Sequence, residues 1–308
     1  MTGDQGPLRK PFFKTRKSGI IQGRLVALIL SGCALLSVLT TIAIVLSLVS
    51  QAFSFFAEIS FLEFITGTHW SPILKPRSYG VLPLVVDTLL IALLAAIVAV
   101  PIGLATAIFL SEYAHDKVRR VIKPILEVLA GIPTVVYGYF ALTFVTPQLQ
   151  ELIYDLKIFN ALSAGIIMGL MIIPMVSSLS EDAMIAVPRS LKNAAYALGA
   201  TRMEVSLKVV VPAALSGIVA SFILAISRAI GETMLVTIAA GQRPSIVPNP
   251  LESIQAMTAF IANTSLGEAA RGSIEYNSIF AVGILLFCMT LSMNLLGFYV
   301  VRKWRQQY

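Results

Sequence analysis

Apolar residues gather into six long runs, at 25–49, 83–110, 124–146, 158–179, 212–241 and 278–301, with polar segments between them. A hydrocarbon core takes about 20 apolar helical residues to cross, and each run reaches that length. The pattern predicts an all-α integral membrane protein with six transmembrane helices. Several runs carry helix-disturbing residues: Pro101 and Gly103, Gly131 and Pro133, Gly165 and Gly169, and Pro174. Such residues are commoner in membrane helices, where they let helices bend or approach closely.

The organisation follows from the runs. Residues 1–24 form a basic N-terminus and 25–49 the first span, too long for the core of a signal peptide and so read as a retained anchor. Residues 50–82 are rich in aromatics (Phe53, Phe55, Phe56, Phe61, Phe64, Trp70, Tyr79), which fits either a segment lying in the membrane interface or a packed cap. Residues 83–301 hold a core of five spans, interrupted by a polar segment at 180–211, and 302–308 form a tail.

Basic residues orient the chain. Segments 1–24, 111–123, 180–211 and 302–308 hold 6, 4, 4 and 3 Lys and Arg, whereas 50–82, 147–157 and 242–277 hold 2, 1 and 2. Cytoplasmic loops carry the excess of positive charge, so both termini and the 180–211 loop are expected in the cytoplasm. Composition agrees with the membrane class: the chain of 308 residues is 57% hydrophobic and 13% charged, with a mean hydropathy of +0.84. Soluble domains carry about 25% charged residues. The net charge of +7 does not point to nucleic acid, because it is spread over the segments between apolar runs.

Little suggests enzymatic chemistry. Cys33 and Cys288 are far apart inside apolar runs, His69 and His115 have no ligand-like neighbours, and neither a metal nor a cofactor is expected on this chain. No GxxxxGK[ST] motif is present to bind nucleotide phosphates.

Two segments carry candidate chemistry. Arg228 and Glu232 stand four residues apart inside the 212–241 run, so one continuous helix would put both on one face with Gly217, Ser221, Ala225, Leu235 and Ala239. A lone arginine at the bilayer centre costs about 2.5–3.5 kcal/mol on insertion scales, which makes such a pair a functional hypothesis by default. One reading is an ion pair that only locks helices together. The other is an anion path: Arg228 supplies a planar, permanently charged donor, and Glu232 keeps the site from becoming a trap and accepts a hydrogen bond from a protonated oxyanion. Ser221 joins that candidate path. Asp87 and Glu127, each near the start of a span, suit the helix dipole and are read as structural.

The second segment is the 180–211 loop. Ser190 is expected to cap a helix through 191–198, Gly199 to end it in a left-handed turn, Thr201 and Glu204 to form a capping box, and Pro212 to sit in the first turn of the next span. Tyr196, Leu198 and Met203 have nothing within the loop to cover them, which suggests either a protein partner or the lipid headgroups.

Asn193-Ala194-Ala195-x3-Gly199-x9-Val-Val-Val211-Pro212 resembles the Glu-Ala-Ala loop of ABC importer permeases, with Asn193 in place of the usual glutamate. The resemblance implies that residues Asn193, Ala194, Ala195, Tyr196, Leu198, Gly199, Ala200, Thr201, Arg202 and Glu204 form a coupling element that docks on an ATP-binding subunit. Further motifs are similar to phosphate-specific permeases: Phe64-Ile-Thr-Gly-Thr-His-Trp70, Leu129-Ala-Gly-Ile-Pro-Thr-Val-Val-Tyr-Gly138, Val187-Pro-Arg-Ser190, Ala197-Leu-Gly-Ala-Thr-Arg202 and Arg228-Ala-Ile-Gly-Glu-Thr233. Gly231-Glu-Thr-Met234, Ile261-Ala-Asn263 and Gly267-Glu-Ala269 favour the PstC type over the PstA type.

That likeness implies a type I ABC importer permease of MetI-like architecture in a bacterial inner membrane. It implies a homologous PstA-like permease, two PstB-like subunits that carry the ATP and Mg, and a PstS-like extracytoplasmic phosphate-binding protein, with lipid around the spans and no nucleic acid. The chain would then be a transport subunit and not an enzyme. The alternatives are a permease for molybdate or sulfate, or an ion-coupled secondary transporter in which Glu232 carries protons. Such transporters often show internal repeats, and none is visible here.

Overall fold

The computed structural model describes residues 17–304 apart from Leu74 and Glu268. The basic residues of 1–16, the tail residues 305–308 and the glutamate of the Gly267–Ala269 motif therefore lie outside the described residues. The chain divides into two units, 1–50 and 51–308. In the first, helix α1 (Lys17–Phe56) contains the expected first span and continues past its end.

The second unit opens with a packed aromatic cap. Helix α2 (Phe61–Thr66) and the antiparallel strands β1 (Trp70–Ser71) and β2 (Ser78–Tyr79) fold over the end of α1. Phe55, Phe64, Trp70, Tyr79 and Phe260 are buried and meet edge-on, with Phe55–Phe64 centroids 5.7 Å apart and Trp70–Phe260 centroids 4.9 Å apart. Edge-on geometry sets the positive ring edge against the negative face of the next ring. Of the two readings open for 50–82, the packed cap describes Phe55, Phe64, Trp70 and Tyr79, while Phe53 and Phe61 stay exposed.

Three long helices follow: α3 (Leu82–Ile108), which continues in a π-helical turn to Tyr113, α7 (Ala161–Ile185) and, at the end, α14 (Ile274–Trp304). They match the runs at 83–110, 158–179 and 278–301. Helix α7 is the most buried span and lies between α3 and α11 (Leu215–Ile230). The α3–α7 seam needs glycine for its close approach: a Cβ at Gly169 would stand 2.6 Å from Cβ of Val98, and one at Gly103 would stand 2.7 Å from Cβ of Val176.

The other two runs are not single straight helices. Helix α4 (Asp116–Gly131) ends at Ile132 and Pro133, and α5 (Thr134–Phe140) continues through a π-helical turn into α6 (Thr146–Leu152), 87° away from α4. The residue before a proline avoids the α region, and Ile132 is extended at φ −66° and ψ 130°. Tyr137 ties the corner by donating its hydroxyl to the Leu129 carbonyl (2.8 Å). Gly138 lets α5 approach α12 (Met234–Ala239), because a Cβ there would lie 3.1 Å from Cα of Leu235.

The 212–241 run breaks twice. Helices α9 (Arg202–Val205) and α10 (Val211–Ala213), joined by a π-helical turn, stop at Ala214 and stand 71° from α11. Pro212 thus closes this preceding segment rather than opening the span. Helix α11 then ends at Ile230, and α12 begins after Gly231, Glu232 and Thr233. Among the described residues, four helices can cross a membrane by length and composition, or six if each bent pair is one span.

Asp87 serves structure, as expected, though by a local bond rather than through the helix dipole. It is buried one turn into α3 and accepts the backbone amides of Ser245 (3.1 Å) and Gln255 (3.0 Å), which fixes the loop between α12 and α13 (Met257–Leu266).

Candidate functional site

Arg228 sits in the last turn of α11, exposed, at a helix end whose free carbonyls favour a cation. It opens on a cavity of about 430 Å³ between α4, α7 and α11. Helix α7 supplies an apolar wall (Met171, Pro174, Met175) and the hydroxyl of Ser178, while α4 supplies Lys123 and Glu127. Glu181 of α7 closes the cavity at one end.

Glu181 is fully buried and ion-paired with two residues of α4, Arg119 and Lys123, the latter at 3.1 Å. Neither carboxylate oxygen makes an aligned hydrogen bond. A buried carboxylate without partners would be costly, so this pairing is also what lets α4, which has no buried residue of its own, hold to α7. The cavity thus presents two cations, Lys123 and Arg228, with two carboxylates among them. An oxyanion could be bound there by charge-assisted hydrogen bonds and still be released.

Three expectations for this region change. Arg228 and Glu232 do not share a helical face, because the helix ends between them at Gly231, and among the described residues they form no ion pair. Glu232 accepts the Leu235 amide (3.4 Å) at the start of α12, and its carbonyl receives the Thr258 hydroxyl (2.7 Å). Ser221 is buried between α7 and α11, where its hydroxyl lies 2.7 Å from that of Ser180, so it clasps helices rather than lining the cavity. Gly217, on the same stripe, faces Ala183. Glu127 lies near the end of α4, not at a helix start, and lines the cavity.

Sequence reasoning missed Glu181, Arg119 and Lys123. The two basic residues counted only as topology charges, and Glu181 fell within the segment read as a loop. The available signal was spacing: Arg119, Lys123 and Glu127 recur at i, i+4 and i+8, one face of a helix.

The loop after α7 is built much as its local pattern suggests. Helix α8 (Arg189–Ala197) presents Asn193, Ala194 and Tyr196 to the outside, and Gly199 follows it at φ +84°, a conformation that an L side chain resists. Ser190 is not the cap; Pro188 precedes the helix and no side chain closes its first turn. The capping box is present: Thr201 Oγ1 accepts the Glu204 amide (3.3 Å), and Glu204 Oε2 accepts the Thr201 amide (3.1 Å). Tyr196, Leu198 and Met203 are exposed, Leu198 by 89%. Ala195 and Ala200 instead pack inward with Val205, Val210, Met184 and Ala107.

Two contacts outside that pattern fasten the loop to the end of α3. Lys192 Nζ meets Glu112 Oε1 at 2.6 Å, and the Arg202 guanidinium lies 5.2 Å from the Tyr113 ring centroid.

The capping box holds the Glu204 carboxyl down at about 2, first through the Thr201 amide and then through Lys208 and the Thr201 hydroxyl. A depressed carboxyl stabilises the folded loop fully above its ordinary value of 4.5 and loses that contribution as pH falls toward 2. Protection of the Thr201 and Glu204 amides from hydrogen exchange, relative to intrinsic exchange at each pH, should therefore hold at pH 5 and fall between pH 4 and 2. Early loss in a Glu204→Gln variant, already at neutral pH, is the matching expectation.

The model of the binding-protein-dependent transport system inner membrane component matches residues 99–306. A probable ABC transporter permease protein, YqgH of Bacillus subtilis, is 33% identical over 92% of this chain and 91% of its own. The phosphate transport system permease protein PstC of Pasteurella multocida is 34% identical over 80% and 82%, and that of Xylella fastidiosa is 32% identical over 81% and 83%. Among solved structures, a bacterial ABC transporter involved in the import of the acidic polysaccharide alginate aligns at a TM-score of 0.63 and 17% identity, covering 93% of this chain and 98% of that one. The MetNI methionine ABC transporter, in an inward-facing form, aligns at a TM-score of 0.59 and 17% identity over 76% and 100%.

Proposed function

The chain belongs to the binding-protein-dependent transport system inner membrane components, and on that premise we propose that it is the PstC-type membrane permease subunit of an ATP-driven phosphate importer. The observation that carries the substrate is the run of PstC relatives at 32–34% identity across about four-fifths of both chains. The cavity beside Arg228 supports it, since Lys123 and Arg228 can donate charge-assisted hydrogen bonds to a small oxyanion while Glu127 and Glu181 offset their charge.

In this reading the path is shared with a homologous, PstA-like permease, and an extracytoplasmic PstS-like protein delivers phosphate. ATP and Mg are bound by two PstB-like subunits, and this chain carries no cofactor. The excess of Lys and Arg in 1–24, 111–123, 180–211 and 302–308 supports an orientation with α8 and both termini in the bacterial cytoplasm. The exposed side chains of Tyr196, Leu198 and Met203 then face the ATPase subunits, and ATP binding moves the loop. Because Lys192 and Arg202 fasten the loop to the end of α3, that motion reaches the spans.

Membership of the binding-protein-dependent family argues against a proton-carrying secondary transporter. The remaining rival is another tetrahedral oxyanion. The test is ATP hydrolysis by the full importer in proteoliposomes with its binding protein. Phosphate should stimulate it, and a tenfold excess of sulfate or molybdate should leave phosphate uptake unchanged. Stimulation by sulfate or molybdate in place of phosphate would reassign the substrate.

A further inference from the structure

The arrangement around Glu181 is asymmetric. Its side chain is 1% exposed, whereas the side chains of its partners Arg119 and Lys123 are 31% and 35% exposed. The carboxylate is therefore enclosed, whereas both cations reach it from the surface. The two cations are not equivalent either. Lys123 lines both the cavity, with Arg228 and Ser178, and the adjoining groove along α4, whereas Arg119 lines the groove and not the cavity. Lys123 can turn away from Glu181 toward the cavity without leaving the carboxylate bare, because Arg119 still pairs with it.

Resting on the phosphate reading, we propose that Glu181 is a built-in competitor for Lys123. It holds the ammonium while the cavity is empty, gives it up to an oxyanion that enters beside Arg228, and takes it back to drive the anion out. A transport site must bind firmly enough to accept its substrate and weakly enough to let it go. The arrangement meets both demands with a carboxylate in the cavity wall that competes for the ammonium. Glu181 is then a positioning residue that acts through Lys123.

The assembled importer, free of nucleotide and binding protein, is titrated with radiolabelled phosphate, and uptake by the ATP-driven importer is measured in parallel. Glu181→Gln should bind phosphate roughly tenfold more tightly than wild type, the lower end of coupling between close charge pairs, and should turn over more slowly. Lys123→Gln should bind more weakly, and adding Glu181→Gln in that background should change nothing further. A merely structural carboxylate would not tighten binding or depend on Lys123. Unchanged or weaker binding in Glu181→Gln, or additive effects in the double variant, overturns the proposal. If the glutamine variant does not assemble, Glu181→Asp carries the test: its shorter carboxylate reaches Lys123 less well, so binding should tighten, and an unchanged constant overturns the proposal. Failure of the phosphate reading shows separately, as a wild-type importer that takes up no phosphate. The same binding constants are then read with the oxyanion that does stimulate it.

Discussion

Replacing Arg228 with glutamine should reduce phosphate uptake by about 100-fold, the loss of two hydrogen bonds to a charged group at about 1.5 kcal/mol each. Phosphate-stimulated ATP hydrolysis should persist. The separation is expected because Arg228 is exposed on the cavity and, among the described residues, has no ion pair or hydrogen bond to lose. Its substitution leaves no buried carboxylate without a partner, so the complex should assemble and the ATPase cycle should run. Measuring uptake and hydrolysis on one proteoliposome preparation decides it. Loss of both in an assembled complex would make Arg228 part of the switch between conformations. Unchanged uptake would remove it from the path.

What could be read from the sequence was what local chemistry decides. The capping box needs only Thr201 and Glu204 and a helix to follow, and Gly199 needs only a position that favours positive φ, so both stand where the pattern put them. Straight spans were equally legible, since length and apolarity specify α3, α7 and α14 without reference to neighbours. The breaks were harder. Ile132-Pro133 and Gly231 are ordinary breaking signals, but apolar runs tolerate proline and glycine in membrane helices, so continuity was the default. Reading 212–241 as one helix then produced an Arg228–Glu232 pair that the chain does not form. The carboxylates at the cavity are Glu127 and Glu181 instead, and Glu181 is the ion-paired one. Its partners lie about 60 positions earlier, on an amphipathic helix that only the Pro133 corner folds back against α7. No local pattern contains that contact. The same holds for Lys192 and Glu112, 80 residues apart.

That last pair carries the second large effect. Glu112 stands in the π-helical turn that ends α3, and Lys192 stands in α8, with side chains 6% and 18% exposed. Removing one partner of a fully buried pair costs about 3–5 kcal/mol because the other charge is left in a poor environment, and this part-buried pair lies below that range. Glu112→Lys also sets two ammonium groups together, so α8 should leave its seat on α3. Arg202 over Tyr113 is too weak a contact to keep it there, at about 0.5–1 kcal/mol for an exposed cation on a ring. Coupled uptake should therefore fall more than tenfold, equivalent to about 1.4 kcal/mol, while the importer continues to hydrolyse ATP without substrate control. The exchange Glu112→Lys with Lys192→Glu restores opposite charges at the same contact and should recover most of the coupled uptake, whereas Lys192→Glu alone should fail as Glu112→Lys does. A double variant no better than either single one would mean that the contact does not transmit the loop's motion. The route from α8 into the spans would then run through the apolar seat of Ala195, Ala200 and Val205.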